Sequence, residues 1–545
     1  MASFQSAVRT IEQGLATGQI GEPVAARILM QGIADHGHVE RMAAAALART
    51  TDWFACRSDQ MTAQGSVASG QVSTLARFER GQTALVSAGS CGAGRPLMAV
   101  HLWGNRGMLS WVDDEFAGEP ETGQALSDAA AATMTRLRSS LASKSAASDA
   151  TRIPTVRRNR PPQPPPYGVL LVAGDYTHQP AYAQALAADP RCRLVGLTDK
   201  ADVNERRRTL NEQLARRLEI PVLPDLQTAL AREDVQIVSL CAEPHRRGRI
   251  AVLAAEAGKH LYLDKPLAGS IADADAIVTA VQQSGVVAHM FSLTHSDAAE
   301  RVRALVASGE LGELTAIHLD LTFAKGIAGT AKLGSPRIES PVPDRFELIE
   351  SKREFTNVGV YAVVHLLTLL NWRVRAVTAT TGNYFFREHQ QDDLEDFGQM
   401  LLEFDGGVIA TVSAGRTGWK SHPGGGLNRA SLIGTRGCAL VDGYEPRVEV
   451  WADAAPWQPP DRNPDDPMGM WAAPPGSPYT IAPRLSWLTP PPMDSVTDVS
   501  HFLDCIEHGR ESVVSAEVAA AATEVLMAGY QSAATGTTVA LPLPR

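Results

Sequence analysis

The stretch EAGKHLYLDKP, residues 256–266, decides the fold. A short apolar strand pattern, 261–263, follows a helical segment that ends in glycine, and an acid, a lysine and a proline come directly after it. Because proline cannot donate to a ladder, the strand must end there. Open α/β sheets bind ligands at the C-terminal ends of their strands. Lys265 is therefore expected where a cation with three donors can meet a ribose or a substrate hydroxyl, whereas an isolated Lys-Pro pair would indicate an exposed turn.

The residues upstream alternate between short apolar strands and helical segments. Strand patterns cover 167–173, 194–198 and 235–241, and helical patterns cover 179–188, 203–218 and 248–257. This alternation predicts a parallel, doubly wound sheet. Gly174 follows the first strand and Asp199 ends the second, where a carboxylate binds both hydroxyls of an adenosine ribose. We therefore expect NAD as the cofactor in preference to NADP, whose 2′-phosphate would meet that charge, although Lys200 weakens the preference.

These features resemble the glucose–fructose oxidoreductase / inositol dehydrogenase / rhizopine catabolism (Gfo/Idh/MocA) family. AGKHLYLDKPLA, residues 257–268, closely matches the family signature AGKHVxxEKPLA, with Asp264 in place of the usual Glu. The resemblance runs from about residue 167 to the C-terminus. It implies a Rossmann-like domain followed by an α+β domain with a large, open, mostly antiparallel sheet. It also implies that Lys265 contacts the nicotinamide ribose and the reacting hydroxyl, and that Pro266 shapes the backbone there.

A second family motif assigns a proton-transfer residue. NVGVY, residues 357–361, resembles the family's D-x-G-x-[HY] segment, whose final residue transfers the proton. The resemblance gives this role to Tyr361, hydrogen-bonded to the substrate hydroxyl and lowered in pKa by Lys265. A tyrosine that only packs within its helix is the alternative. Asn357 and His295 are candidate substrate contacts, the alternative for His295 being a solvated histidine at a helix start.

Several positions depart from the family pattern. The family's G-x-G-x-x-G becomes VAGDYT at 172–177, which keeps only one glycine and removes the close approach of backbone to pyrophosphate. Arg246 and Arg247, after the third strand, could restore positive charge near a diphosphate, but a solvated face is the favoured interpretation. The predicted cofactor-binding residues are Gly174, Asp175, Tyr176, Asp199, Lys200, Glu243, Lys265 and Pro266.

Three functions are compatible with these residues. The first is an NAD-dependent oxidoreductase that transfers hydride to or from a secondary alcohol or ketone of a sugar, cyclitol or related polar metabolite. The second is a catalytically degenerate family member that acts as a binding or scaffold subunit. The third is an NAD-recycling lyase or epimerase.

The N-terminal third repeats part of the second domain. FERGQTALVSAG at 78–89 matches FDGGVIATVSAG at 404–415 at seven of twelve positions. Upstream in the chain, GQIGE at 18–22 answers GELGE at 309–313, and downstream, GNRG at 104–107 answers GTRG at 434–437. These matches predict a shortened copy of the substrate domain that has lost its own site. Since family members pair these sheets between subunits, the copy would act as a pseudo-dimer partner within one chain, and further homo-oligomers stay open. The predicted units are the copy at 1–120, a Pro-rich linker at 121–166, the Rossmann-like domain at 167–292, and the α+β domain at 293–545 with an irregular insertion at 451–492.

Composition bounds the remaining partners. The net charge of −10 and the pI near 5.8 argue against nucleic acid or an anionic membrane as a partner. Six cysteines are scattered without CxxC spacing, which is typical of a reduced, cytoplasmic protein, and no metal site is predicted. The N-terminus lacks an apolar signal region, and no apolar run approaches about 18 residues, so we expect neither secretion nor a membrane span.

Overall fold

The structure is a computed structural model, and its described residues form three β-sheets. These residues are 4–32, 36–66, 70–90, 97–113, 128–142, 153, 164–174, 178–200, 203–292, 294–295, 299, 302–303, 306–307, 309, 311–326, 328–334, 337–340, 353–371, 373–418, 426–435, 438–442, 449–452 and 497–545. In this part of the chain no helix combines the length and the apolar character that crossing a membrane would require.

The first unit is a mixed sheet backed by helices. Its elements are α1 (Phe4–Ala16), β1 (Pro23–Gln31), α2 (His36–Phe54), β2 (Ser58–Ser66), β3 (Gln71–Phe78), β4 (Thr83–Gly89), β5 (Leu97–Gly104), β6 (Gly107–Asp113) and α3 (Asp128–Ala142). The strand order is β6-β5-β1-β4-β3-β2, and β1 and β4 are its parallel pair. Helices α2 and α3 bury Trp53, Phe54 and Leu137 in a core of their own with this sheet, so the unit has one helical face and one open face.

The second unit is the predicted parallel sheet, which is confirmed. Its elements are β7 (Tyr167–Val172), α4 (Gln179–Ala188), β8 (Cys192–Thr198), α5 (Glu205–Arg217), α6 (Leu226–Leu230), β9 (Ile237–Leu240), α7 (Pro244–Glu256), β10 (His260–Leu263), α8 (Ile271–Ser284) and β11 (Ala288–Met290). The order β11-β10-β9-β7-β8 is parallel throughout. Ser270 caps α8 by accepting from the Asp273 N–H, and Gly285 ends it at φ 67°. The strand order reverses between β7 and β9, which places the ligand crevice at their C-terminal ends.

The third unit is a large, mostly antiparallel sheet, as predicted. Its elements are β12 (Leu314–Phe323), α9 (Glu354–Asn357), α10 (Gly359–Leu370), β13 (Val374–Gly382), α11 (Arg387–Gln391), β14 (Phe397–Phe404), β15 (Ile409–Arg416), β16 (Asn428–Gly434), β17 (Cys438–Asp442), β18 (Glu449–Ala452), α12 (Asp498–Glu507), α13 (Ala516–Thr535) and β19 (Val539–Ala540). The sheet order is β17-β16-β12-β15-β14-β13-β19, and β12 and β15 are parallel. Helices α10 and α13 cover one face.

The first and third sheets are built on one strand plan. Strands β1–β6 follow the order and directions of β12–β17. The β-bulge between Pro23 and Ala25 answers one between Leu314 and Ala316. The preceding turns each hold two glycines at positive φ, 68° and 71° in the first unit and 68° and 72° in the third. Such turns favour glycine because other residues rarely adopt this conformation. The equal topology fits the repeat seen in the sequence, and the common origin of the two units stays a prediction.

The open faces of these two sheets pack on each other. Trp103 of β5 lies with its ring centroid 5.2 Å from that of Phe397 on β14, and it is fully buried. Arg27 of β1 donates to the Thr411 hydroxyl at 3.2 Å and lies 3.8 Å from the Asp320 carboxylate. Leu75 and Leu85 form an apolar cluster with residues of β14 and β15. The face of the third sheet is therefore covered from within the chain.

Two segments that the sequence assigned to the third unit pack with other units. Strand β18 follows the third sheet in the chain but pairs with β6 of the first, so residues 451–452 are strand and not the start of an irregular insertion. Residues 453–492 of that insertion lie outside the described residues. Helix α12 packs Val499, Phe502 and Leu503 into the core of the parallel sheet. Residues 293–545 therefore do not form one separate domain.

Candidate active site

The C-terminal end of β10 faces the start of α10. Lys265, two residues past β10, lies with Nζ 5.5 Å from the ring centroid of Tyr361 on α10. Both residues are largely buried, with 5% and 8% of their surface exposed. The Lys265–Pro266 peptide bond is cis. The structure thus brings together the two residues that the sequence predicted as catalytic, at the edge where parallel sheets bind ligands.

Lys265 is held by the main chain and side chain of Asn357. Its Nζ donates to the Asn357 carbonyl oxygen at 3.0 Å and to the Asn357 Oδ1. An ammonium carries three N–H bonds, so one donor is left for a ligand. Burial lowers the pKa of Lys265 to about 8, although Asp264 and Glu354 act to raise it. Asn357 therefore accepts two hydrogen bonds from Lys265, and its predicted contact with substrate stays a prediction.

Tyr361 is surrounded by aromatic rings. Its ring lies edge-on to Phe291 at 6.2 Å and tilted against Phe323 at 5.8 Å. Among the described residues, none hydrogen-bonds to its hydroxyl, which leaves that group open to a ligand. Burial raises the pKa of Tyr361 well above 10, and the Asp264 and Asp498 carboxylates raise it further. The prediction that Lys265 lowers this pKa is wrong, because desolvation of the phenolate dominates.

Asp264 fixes the loop that carries Lys265. Its buried carboxylate accepts from the Tyr182 hydroxyl at 2.6 Å and lies 3.1 Å from the His178 Nδ1. Burial alone would raise the pKa of Asp264, but His178 and Arg247 hold it below its usual range. Arg247 is fully buried and donates to the carbonyl oxygens of Ala242 and Asp264 at 2.7 and 3.0 Å. The expectation of a solvated Arg247 is therefore wrong: its guanidinium ties the ends of β9 and β10 together.

Asp199, the predicted ribose ligand, is engaged by protein groups. Its two oxygens accept from the Lys200 N–H at 2.8 Å, from Asn211 at 2.7 Å, and from Arg246 and Arg207 at 3.3 and 3.4 Å. A carboxylate offers about four lone-pair sites, so these donors use its capacity. Glu243, also a predicted cofactor contact, forms a buried ion pair with Arg246 at 2.5 Å. Adenosine hydroxyls could bind Asp199 only if Arg246 or Arg207 moved away. The expectation of a solvated Arg246 is also wrong, because its guanidinium is bound to Asp199 and Glu243.

Of the other predicted site residues, the structure describes Gly174 and His295. A Cβ on Gly174 would come within 2.8 Å of the Ala242 Cα, so the turn after β7 needs a glycine to pass the end of β9. Asp175 and Tyr176 lie outside the described residues. The His295 ring centroid lies 4.6 Å from that of His501 on α12, with the two rings tilted by 36°, and its Nδ1 lies 3.4 Å from Arg303. Its contact with substrate stays a prediction.

Sequence reasoning missed a buried acid behind Asn357. Glu354 accepts from the Asn357 Nδ2 at 3.2 Å and forms a two-point ion pair with Arg416 at 2.8 and 3.0 Å. His389 lies 3.5 Å from the same carboxylate. Burial would raise the pKa of Glu354, but Arg416 and His389 lower it to about 2. The sequence signal was slight, an acid three residues before the Tyr361 motif.

Comparisons with known proteins agree with the family resemblance. Residues 170–292 match the family model described as oxidoreductase family, NAD-binding Rossmann fold, and residues 299–440 match that of the GFO/IDH/MocA C-terminal domain. The resemblance stated from the sequence is thereby confirmed.

Two relatives and one solved structure indicate the breadth of this similarity. Levoglucosan dehydrogenase of Pseudarthrobacter phenanthrenivorans is 24% identical over 242 residues, which are 42% of this chain and 60% of that protein. The scyllo-inositol 2-dehydrogenase (NAD(+)) of Bacillus subtilis is 24% identical over 340 residues, 61% of this chain and 86% of that protein. The crystal structure of a candidate myo-inositol dehydrogenase from Sinorhizobium meliloti 1021 is similar with a TM-score of 0.50 and 16% identity, covering 69% of this chain and all of that one. The last similarity concerns the fold alone.

The described residues fit a nicotinamide cofactor at the reacting end. Lys265 keeps one N–H, and no described residue hydrogen-bonds to the Tyr361 hydroxyl, so both can bind a ribose or a substrate oxygen. At the adenosine end, Asp199 is available only after exchange of an arginine partner. The nicotinamide end of the site therefore has hydrogen-bonding groups ready for a ligand, whereas the adenosine end does not.

Proposed function

Because this chain belongs to the Gfo/Idh/MocA family of oxidoreductases, we propose that it is an NAD-dependent enzyme that interconverts a secondary alcohol and a ketone. The observation that carries this proposal is the position of Lys265 Nζ, 5.5 Å from the Tyr361 ring at the C-terminal end of β10. The names of the relatives, levoglucosan dehydrogenase and scyllo-inositol 2-dehydrogenase, support a sugar or cyclitol as the substrate class. The matched segment spans about 60% of the first of these, so the activity of the whole chain is part of the proposal.

Tyr361 and Lys265 have separate roles at the carbonyl oxygen of the substrate. When bound, the cofactor supplies or accepts the hydride. Tyr361 stays protonated at neutral pH, because its pKa lies well above 10, and it donates its proton to the ketone oxygen. The third N–H of Lys265 donates to the same oxygen and stabilises the negative charge that develops there. Phe291 and Phe323 flank the Tyr361 ring and keep it in place.

The pH dependence of ketone reduction tests these protonation states. We expect the rate to be steady below pH 8 and to fall as pH rises through about 8. The buried Lys265 has a lowered pKa of about 8, so its ammonium form, and with it the third donor, is lost above that pH. The measurement is the pH profile of kcat with saturating NADH and ketone. A rate that stays constant to pH 10 would show that the charge on Lys265 is not needed.

One observation favours a second candidate function. Asp199 already accepts four protein donors, so this chain can be a degenerate member that binds another ligand or serves as a scaffold subunit. Turnover assays with NAD(+) on levoglucosan, scyllo-inositol and myo-inositol separate the possibilities. Formation of NADH supports the oxidoreductase, and failure to bind the cofactor at all supports the degenerate member. Tightly retained NAD with substrate conversion but no net NADH would indicate the recycling lyase or epimerase.

We further propose that the first sheet acts as a pseudo-dimer partner of the third. Support comes from their common strand plan and from the face contacts of Arg27 and Trp103. In this proposal the N-terminal unit supplies the surface that another subunit would otherwise provide, and it carries no site of its own. A cytoplasmic location is also proposed, because four of the cysteines, Cys56, Cys192, Cys241 and Cys505, are free thiols.

A further inference from the structure

The side chain that holds Lys265 is itself oriented by a buried carboxylate. Lys265 Nζ donates to the Asn357 carbonyl oxygen and Oδ1, while the Asn357 Nδ2 donates to Glu354 at 3.2 Å. An amide has a donor end and an acceptor end, whereas a carboxylate can only accept. Glu354 can therefore bind only the Nδ2 end, and this leaves Oδ1 facing the lysine.

Glu354 cannot rotate away from this position. Both of its oxygens accept from Arg416, at 2.8 and 3.0 Å, in a planar two-point pair. The His389 Nε2 lies 3.5 Å from the Oε1 of the same carboxylate. The side chains of Glu354, Arg416 and His389 are fully buried.

The charged groups around Lys265 come from four elements. Asp264 lies on its own loop and Glu354 on α9, and both raise the pKa of the lysine. Arg416 on β15 and Arg247 on α7 lower it, and burial lowers it most. Glu354 is thus one of two negative charges that keep Lys265 protonated, and it acts across the Asn357 amide.

We infer that Glu354 is a positioning residue: through Asn357 it fixes two N–H bonds of Lys265 so that the third points toward the ligand. The family motif has an Asp where this chain has Asn357. In this chain the nearby carboxylate is that of Glu354, which reaches Lys265 through the Asn357 amide. This inference rests on the proposed function for the identity of the ligand, but the arrangement can be tested without cofactor or substrate.

The test is a titration of Lys265 by NMR in the full-length chain labelled with ¹³C at lysine Cε. The Lys265 signal is assigned by its loss in Lys265→Arg. Glu354→Gln is expected to lower the pKa of Lys265 by on the order of one unit, because a negative charge is lost and the new amide can turn Asn357 around. The matched control is Glu395→Gln, which removes another fully buried carboxylate, bound to Arg353 at 2.9 Å. That control is expected to leave the titration of Lys265 unchanged.

A second variant keeps the test decisive if Glu354→Gln does not fold. Asn357→Asp puts a carboxylate directly on Lys265 and is expected to raise its pKa. Combined with Glu354→Gln, it should return the pKa to the unmodified value or above. The inference is overturned if Glu354→Gln and Glu395→Gln shift Lys265 equally, or if Asn357→Asp fails to raise its pKa. Because no cofactor is present, failure of NADH to bind would refute the proposed function and leave this result standing.

Discussion

Tyr361→Phe is expected to slow ketone reduction by about 10²–10⁴-fold while the fold stays intact. The substitution removes only the hydroxyl that would transfer the proton. The phenyl ring keeps its contacts with Phe291 and Phe323, and no described residue loses a hydrogen bond. The rate is measured from the loss of NADH absorbance. The substrate is the ketone that corresponds to an alcohol oxidised by the unmodified chain. The thermal unfolding midpoint of each variant is measured alongside.

Tyr384→Phe is the matched control for this substitution. Tyr384 is a similarly buried tyrosine, but its hydroxyl donates to the Gly81 carbonyl between the two packed sheets at 2.7 Å. We expect it to lower stability by about 1 kcal/mol and to leave the rate unchanged. Unchanged turnover in Tyr361→Phe would remove this residue from the mechanism. Lys265→Ala should lose a comparable factor, and the double variant should lose little more, because both groups act on one oxygen.

Trp103→Ala is expected to lower the free energy of unfolding by about 3–5 kcal/mol. The indole is fully buried between the first and third sheets, against Phe397 at 5.2 Å. Its removal loses the transfer free energy of a large side chain and leaves a cavity that the rigid strands cannot fill. Unfolding in urea, followed by far-UV circular dichroism, measures the change.

A surface substitution serves as the control for Trp103. Ile338 is 78% exposed, so Ile338→Ala should change the free energy of unfolding by no more than about 0.5 kcal/mol. If Trp103→Ala is no more destabilising than Ile338→Ala, the two sheets do not pack on each other as described, and the pseudo-dimer proposal loses its support.

The parallel sheet and the pairing of Lys265 with Tyr361 could be predicted because their signals are local. Apolar runs followed by turn residues mark the ends of strands, and two short motifs mark the lysine and the tyrosine. The strand plan of the first unit was likewise accessible through its repeat of FERGQTALVSAG as FDGGVIATVSAG.

The predictions that were wrong concern properties that depend on contacts between distant segments of the chain. Burial sets the pKa of Tyr361, and the motif carries no information on burial. Arg247 is buried because carbonyl oxygens from two strand ends converge on it, and a sequence containing adjacent arginines suggests only a solvated face. Asp199 stands at the predicted strand end, but its arginine partners come from α5 and α7. The transfer of β18 to the first sheet is a pairing that no local pattern encodes.

Calorimetric titration of the purified full-length chain with NADH tests the central claim most directly. We expect saturable binding with one site per chain, since the described residues contain one parallel sheet with a ligand crevice at its C-terminal edge. Absence of any binding heat up to millimolar NADH, with a correctly folded protein, would contradict an NAD-dependent oxidoreductase.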